Sequence, residues 1–200
     1  RLMVNNQVYE IKHYGKVLSA NRTYYLTRSQ PPFLSSMLRA VHERLPATQE
    51  NQLWLKAGLD AVIQEYERVW TSPPRLNDQY QLSRYFDEGH GPCPDVEPGH
   101  YDPVLRPYAA KAGVTPARYA QGYKTGAYKN PKLDEFFIHD RAIRESGHDT
   151  TYRFDSRTAD FLTANLNSLL YKVESDVAAM LAALDDPAAA AWVQKAAARK

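Results

Sequence analysis

The run Arg144-Glu145-Ser146-Gly147-His148-Asp149, followed by Tyr152, Arg153 and Phe154, carries the residues best suited to chemistry. A helical segment over residues 133–145 leads into it. Ser146-Gly147 then breaks the helix, because glycine takes the left-handed conformation that other residues avoid. The break lifts His148 and Asp149 off the end of a rigid element, between Arg144 and Arg153 in sequence. A carboxyl group held at a helix terminus among cations and aromatic rings suits acid catalysis on a polyhydroxyl substrate. The same residues also serve as an ordinary loop after a helix, so spacing alone makes Asp149 a candidate acid and no more. His148 beside it is either a substrate hydrogen-bonding group or a solvated histidine.

Two further stretches could hold such a substrate. Ser19-Ala20-Asn21-Arg22-Thr23-Tyr24-Tyr25-Leu26-Thr27-Arg28-Ser29-Gln30-Pro31-Pro32-Phe33 has no helical period and ends in a proline pair. It reads as a loop with a short extended piece at residues 24–26. The planar groups of Asn21, Arg22, Arg28 and Gln30 can read vicinal hydroxyls or tie down nearby backbone. Residues 71–100 form a second loop, marked by Pro73, Pro74, Pro92, Pro94 and Pro98 and carrying Asp95 and Glu97. A loop this long inside a domain is functional or disordered.

Helices must carry these loops, and the apolar spacing supplies them. Val4, Val8 and Ile11 predict a helix over residues 2–14, stopped by Gly15. Leu34, Met37, Leu38 and Val41 mark a short helix over residues 32–41. Leu55, Leu59, Val62, Ile63, Tyr66, Val69 and Trp70 mark a longer one that Ser72-Pro73-Pro74 ends. Three helices then start at Asp102-Pro103, Thr115-Pro116 and Asn130-Pro131 and close near Gly113, Gly126 and Gly147. Each start pairs a side-chain oxygen with proline at the first helical position. The apolar series from Leu162 to Leu184 predicts the strongest helix, over residues 158–184, and Asp186-Pro187 caps an alanine-rich last one. No segment alternates convincingly as a strand would. The chain therefore reads as all-α, its helices following one another as antiparallel hairpins do.

Composition narrows the classes. Two hundred residues fit one domain or part of a larger one. A net charge of +2 on dispersed basic residues argues against a nucleic-acid partner. No apolar run reaches membrane-spanning length, and none resembles a signal peptide. The single Cys93 cannot close an internal disulfide, which fits a reducing compartment. A glycine-rich phosphate loop, a CxxC pair and an HExxH motif are all absent, and the six histidines lack metal-ligand spacing. No cofactor or metal is predicted for this chain. It opens at Arg1 inside a helical pattern and ends in an alanine-rich stretch, so we expect part of a longer protein.

Residues 21–32, Asn-Arg-Thr-Tyr-Tyr-Leu-Thr-Arg-Ser-Gln-Pro-Pro, resemble the NRxYYLxRSQPP segment of the trehalases of glycoside hydrolase family 37. Residues 144–153 resemble the RESGHDT(T/S)YR segment of the fungal neutral branch of that family, as do residues 131–137 and 165–172. The resemblance covers nearly the whole chain. It implies an (α/α)6 barrel, a six-hairpin toroid of which about half is present, with residues 1–200 inside a single catalytic domain. It implies hydrolysis of α,α-trehalose to two glucose molecules with inversion, in the cytoplasm, and it is compatible with a homo-oligomer. By the same resemblance Asp149 falls on the general acid. Arg28, Ser29 and Gln30 fall on the substrate-binding triplet, and Arg144 and Gly147 on further sugar contacts. Two positions depart from the family pattern: Ser19 stands where asparagine is usual, and Asp95 where glutamate is usual, with Glu97 nearby. The general-base glutamate would lie downstream and the calcium-binding region upstream, so the 200 residues alone are expected to be inactive. A catalytically inactive sugar-binding homologue and another (α/α)6 carbohydrate hydrolase are the alternatives.

Inverting hydrolysis uses a protonated carboxyl to release the glycosidic oxygen and a carboxylate roughly 6.5–9.5 Å away to activate water. Asp149 would have to keep its proton at neutral pH, above the ordinary carboxylate range. Nearby guanidinium groups oppose that. Arg144 and Arg153 are therefore expected to engage substrate hydroxyls or other carboxylates.

Overall fold

The computed structural model describes residues 1–148 and 152–200. Helix α1 spans Leu2–Tyr14 and stops where the sequence predicts. Gly15 takes φ 81°, and its N–H caps the Ile11 carbonyl at 2.8 Å. Helix α2 is Leu34–His42 and α3 is Gln49–Glu65, the latter opened by the Thr48 hydroxyl accepting from the Asn51 N–H. A π-helical turn, Tyr66–Trp70, continues α3 to the residue expected from its apolar spacing. Helices α4 (Asp102–Lys111), α5 (Pro116–Lys124) and α6 (Pro131–Glu145) follow. Thr115 and Asn130 cap α5 and α6 through side-chain oxygens, each with proline at the first position. Asp102 departs from that pattern. It is the first helical residue, its N–H bound to the Gly99 carbonyl, and Tyr101 holds the cap position.

Three other expectations change. Residues 24–26 are not extended; Thr23–Tyr25 is a 3-10 turn, and the extended contact lies instead between Leu18 and Ser29. The longest helix, α7, begins at Ala164 rather than at residue 158 and runs to Ala183. The cause is visible at Ala159, whose N–H goes to the His139 ring at 3.2 Å and whose carbonyl accepts from Arg84 at 3.0 Å. Neither group is left for a helix ladder, and Thr158–Asp160 becomes a 3-10 turn. The 71–100 loop also holds a small antiparallel pair, β1 (Leu76–Asn77) with β2 (Leu82–Ser83). Helix α8, Ala189–Arg199, closes the chain.

Two cores result. Ile11, Leu38, Leu55, Leu166, Leu170 and Trp192 join α1, α2, α3, α7 and α8. Tyr101, Leu105, Tyr119, Leu133 and Phe137 join α4, α5 and the first half of α6. Helix α6 belongs to both, because Phe137 packs in the second core and Ala142 in the first. Its C-terminal turn is therefore fixed from two sides, at the point where it delivers Gly147.

Candidate functional site

The loop between α1 and α2 is held by its backbone. The Val17 N–H donates to Glu65 Oε1 at 2.8 Å, the Leu18 N–H to Glu10 Oε2 at 3.0 Å, and the Gln30 N–H to the Val17 carbonyl at 3.0 Å. At the far end the Ser29 N–H donates to Glu145 Oε1 at 3.0 Å. Glu145 is the last residue of α6, so the loop lies directly against the helix end that leads to Gly147.

Within this frame Ser19, Arg28 and Asp95 meet. Arg28 donates through Nε to Ser19 Oγ at 3.1 Å and through Nη2 to Asp95 Oδ2 at 2.7 Å. Its guanidinium carbon sits 4.7 Å from the centre of the Tyr25 ring. Burial alone would raise the Asp95 pKa, but the hydrogen bond and charge of Arg28, with Arg144 adding to them, hold it below its usual value. Burial pushes the Tyr25 hydroxyl up, and the Asp95 charge adds to the shift. The two positions that depart from the family pattern thus grip one guanidinium. Gln30 donates to the Ser19 carbonyl at 3.0 Å. Ser29 differs from its neighbours in the triplet. It is fully buried, and its hydroxyl lies within hydrogen-bonding distance of the Val17 and Gln30 carbonyls, so this side chain helps to hold the loop.

The α6 side supplies the rest. Arg144 donates through Nε to Asp140 Oδ2 at 3.1 Å, and its Nη2 lies 3.1 Å from the His100 ring. Asp140 also accepts from the Tyr101 hydroxyl at 2.5 Å. Arg144 thus engages a carboxylate, as expected of it. Burial acts to lower the Arg144 pKa, but the charge and hydrogen bond of Asp140, together with Tyr101 and Cys93, raise it. Gly147 has φ 78° and is exposed, with open space where a Cβ would stand. The His148 N–H donates to Ser146 Oγ at 3.2 Å, and its ring is 3.4 Å from Asn165. Asp149, the candidate acid, lies outside the described residues. Beyond it Arg153 is exposed, and Phe154, Asp155 and Ser156 all take left-handed backbone angles. Glu97 is exposed, so Asp95 is the acidic residue of that loop that reaches Arg28.

Residues that spacing did not single out complete the arrangement. Glu145 and Arg75 are buried, and Arg75 donates to both Glu145 oxygens, at 3.2 and 2.6 Å. A glutamate in the last turn of a helix opposes the helix dipole, and that misplacement was the available signal. A separate cavity of about 850 Å³ opens beside α5 and α6, lined by His90, Tyr123, Lys124, Tyr128 and Lys129 among others. None of the described candidate site residues lines it.

The sequence pattern of the trehalase family matches residues 1–200. The chain belongs to the trehalase family. It is 52% identical over 180 residues to the cytosolic neutral trehalase of Saccharomyces cerevisiae, covering 89% of this chain and 24% of that protein. It is 49% identical over 176 residues to the cytosolic neutral trehalase of Neurospora crassa, covering 88% of this chain and 24% of that protein. The solved structure of neutral trehalase Nth1 from Saccharomyces cerevisiae superposes with a TM-score of 0.91 at 47% identity, covering 98% of this chain and 38% of that one. The chain spans about a quarter of the length of these curated trehalases. Its helices are accordingly part of the trehalase helical toroid. Among the described residues no helix is long and apolar enough to cross a membrane.

Proposed function

We propose that this chain works within an enzyme that hydrolyses α,α-trehalose to two glucose molecules, with inversion at the carbon that is cleaved. The relatives named cytosolic neutral trehalase support that reading and a cytoplasmic location. The single observation that carries it is the bond from the Ser29 N–H to Glu145. It brings the loop bearing Arg28 and Gln30 against the helix end that runs into Gly147 and Asp149.

In this reading Arg28, Gln30 and Arg144 hold sugar hydroxyls, and Ser19 and Asp95 set the angle of Arg28. Asp149 gives its proton to the glycosidic oxygen as that bond breaks. A carboxylate from outside these 200 residues takes a proton from water, whose oxygen attacks the anomeric carbon from the opposite face. One glucose leaves as the β anomer and the other as the α anomer. Asp140 offsets part of the Arg144 charge, which lessens the pull that would otherwise ionise Asp149. Asp149→Asn in the full-length enzyme, assayed on trehalose, tests the assignment. Turnover is expected to fall by about 10²-fold or more, and near-normal turnover would refute the role of Asp149. Anomer-resolved NMR of the fresh product tests the stereochemistry; α glucose from both halves would exclude inversion.

A further inference from the structure

We propose that Glu145 is a positioning residue for this reaction: its buried carboxylate sets the distance between the sugar-holding loop and the helix end that carries the acid. The proposal rests on the trehalose-hydrolysing reading above. Both oxygens are committed to protein groups. Oε1 accepts from the Ser29 N–H at 3.0 Å and Arg75 Nη2 at 2.6 Å. Oε2 accepts from the Phe86 N–H at 2.7 Å and Arg75 Nε at 3.2 Å. One side chain thus ties the α1–α2 loop and the 71–100 loop to the last turn of α6.

The ionic chain does not stop there. Arg75 Nη1 donates to Glu88 Oε1 at 2.8 Å, and Lys16 Nζ donates to Glu88 Oε2 at 2.9 Å. Lys16 lies at the start of the α1–α2 loop and Ser29 near its end, so both ends hang on one line of alternating charges. A buried carboxylate at a helix C-terminus is costly against both dipole and desolvation. The planar fork of Arg75 matches it with two parallel bonds, which fix direction as well as charge.

The geometry shows what the arrangement controls. The Ser29 amide sits between Arg28 and Gln30, so moving it moves both side chains. Asp149 follows four residues after Glu145 and Gly147 two after it. A shift at this carboxylate therefore changes the separation between the loop and the helix end that leads to the acid. A misplacement of about 1 Å in such a pair costs on the order of 100-fold in rate.

Glu145→Asp retracts the carboxylate by about one C–C bond, roughly 1.5 Å, and keeps its charge. Arg75→Lys keeps the opposite charge and loses the fork. Both are to be made in the full-length enzyme beside Asp149→Asn, with folded fraction read by thermal melting and kcat and KM read on trehalose. We expect each variant to stay folded at assay temperature. Expected also are a kcat per folded molecule about 100-fold lower, a smaller change in KM, and a displaced acid limb in the pH–rate profile. Wild-type kcat and pH profile in folded Glu145→Asp would overturn the proposal. Loss of folded protein in both variants would assign the pair to stability and overturn it too. Asp149→Asn separates the two readings. If it is inactive while Glu145→Asp is normal, positioning fails alone; if it is active, the catalytic reading fails first.

Discussion

The α1–α2 loop is anchored at both ends by buried carboxyl groups, and the two anchors solve the same problem differently. At the α6 end Glu145 meets Arg75 in a two-bond fork. At the α3 end Glu65 is buried and holds the Val17 N–H with no cation in direct contact. Burial there dominates over the hydrogen bond from the Val17 N–H and the more distant Arg75 charge, and the Glu65 pKa rises from 4.5 to about 7. One anchor is an ion pair and the other is a carboxyl partly neutral near physiological pH. The ion-paired anchor gives direction and reach; the other tolerates burial without a cation beside it.

The contrast breaks most visibly if Arg75 is removed. Arg75→Met leaves Glu145 buried beside two N–H donors and no cation. Stranding one partner of a buried pair costs about 3–5 kcal/mol. In a domain of this size that lowers the melting temperature by about 10 °C. Thermal unfolding followed by circular dichroism measures it. A loss no larger than that of an exposed charge would show that the two anchors are not different in kind.

Glu65 gives the next largest effect, and its sign is opposite to that of an ion-paired carboxylate. The folded state holds this proton up to pH 7 while the unfolded chain releases it near 4.5. Between those values the folded state binds more protons, so stability falls as pH rises and levels off above the folded pKa. The full span is roughly 3 kcal/mol. Glu65→Gln keeps an acceptor for Val17 and removes the ionisation. It is expected to flatten the stability profile between pH 5 and pH 8 and to gain most at pH 8. An unchanged slope in urea unfolding at those pH values would mean that Glu65 is not the group responsible.

The helices were legible in the sequence because their signals are local. Thr115, Asn130 and Gly147 mark their termini through the geometry of one or two residues, and the apolar stripe of α7 repeats often enough to be read. The start of α7 was not legible, because Ala159 is claimed by His139 and Arg84, 20 and 75 residues away. The site divides in the same way. Arg28, Gln30 and Arg144 stand in recognisable runs. The Glu145–Arg75 fork joins residues 70 apart, and no spacing rule reports such a pair. Ser29 is implied as a sugar contact only by its place in the Arg-Ser-Gln triplet, and neither its burial nor its bridge to Leu18 was legible there.

Arg28 offers an intermediate anchor that sharpens the comparison. It is charge-paired and buried, as Glu145 is, but its partner Asp95 keeps 12% of its side-chain area exposed. Ser19 and Asp95 hold different nitrogens of the same guanidinium, so neither acts alone. Removing Asp95 leaves Arg28 free to rotate about the Ser19 bond, and removing Ser19 leaves it free about the Asp95 bond. Removing the second partner then costs less than the first, because orientation is already lost. Ser19→Ala, Asp95→Asn and the double variant in the full-length enzyme should therefore be non-additive in KM for trehalose. The coupling should be about 1 kcal/mol, within the range for residues that share a contact. Additive losses would mean that Ser19 and Asp95 touch the sugar separately, as the family pattern implies, and that Arg28 is oriented by Tyr25 alone.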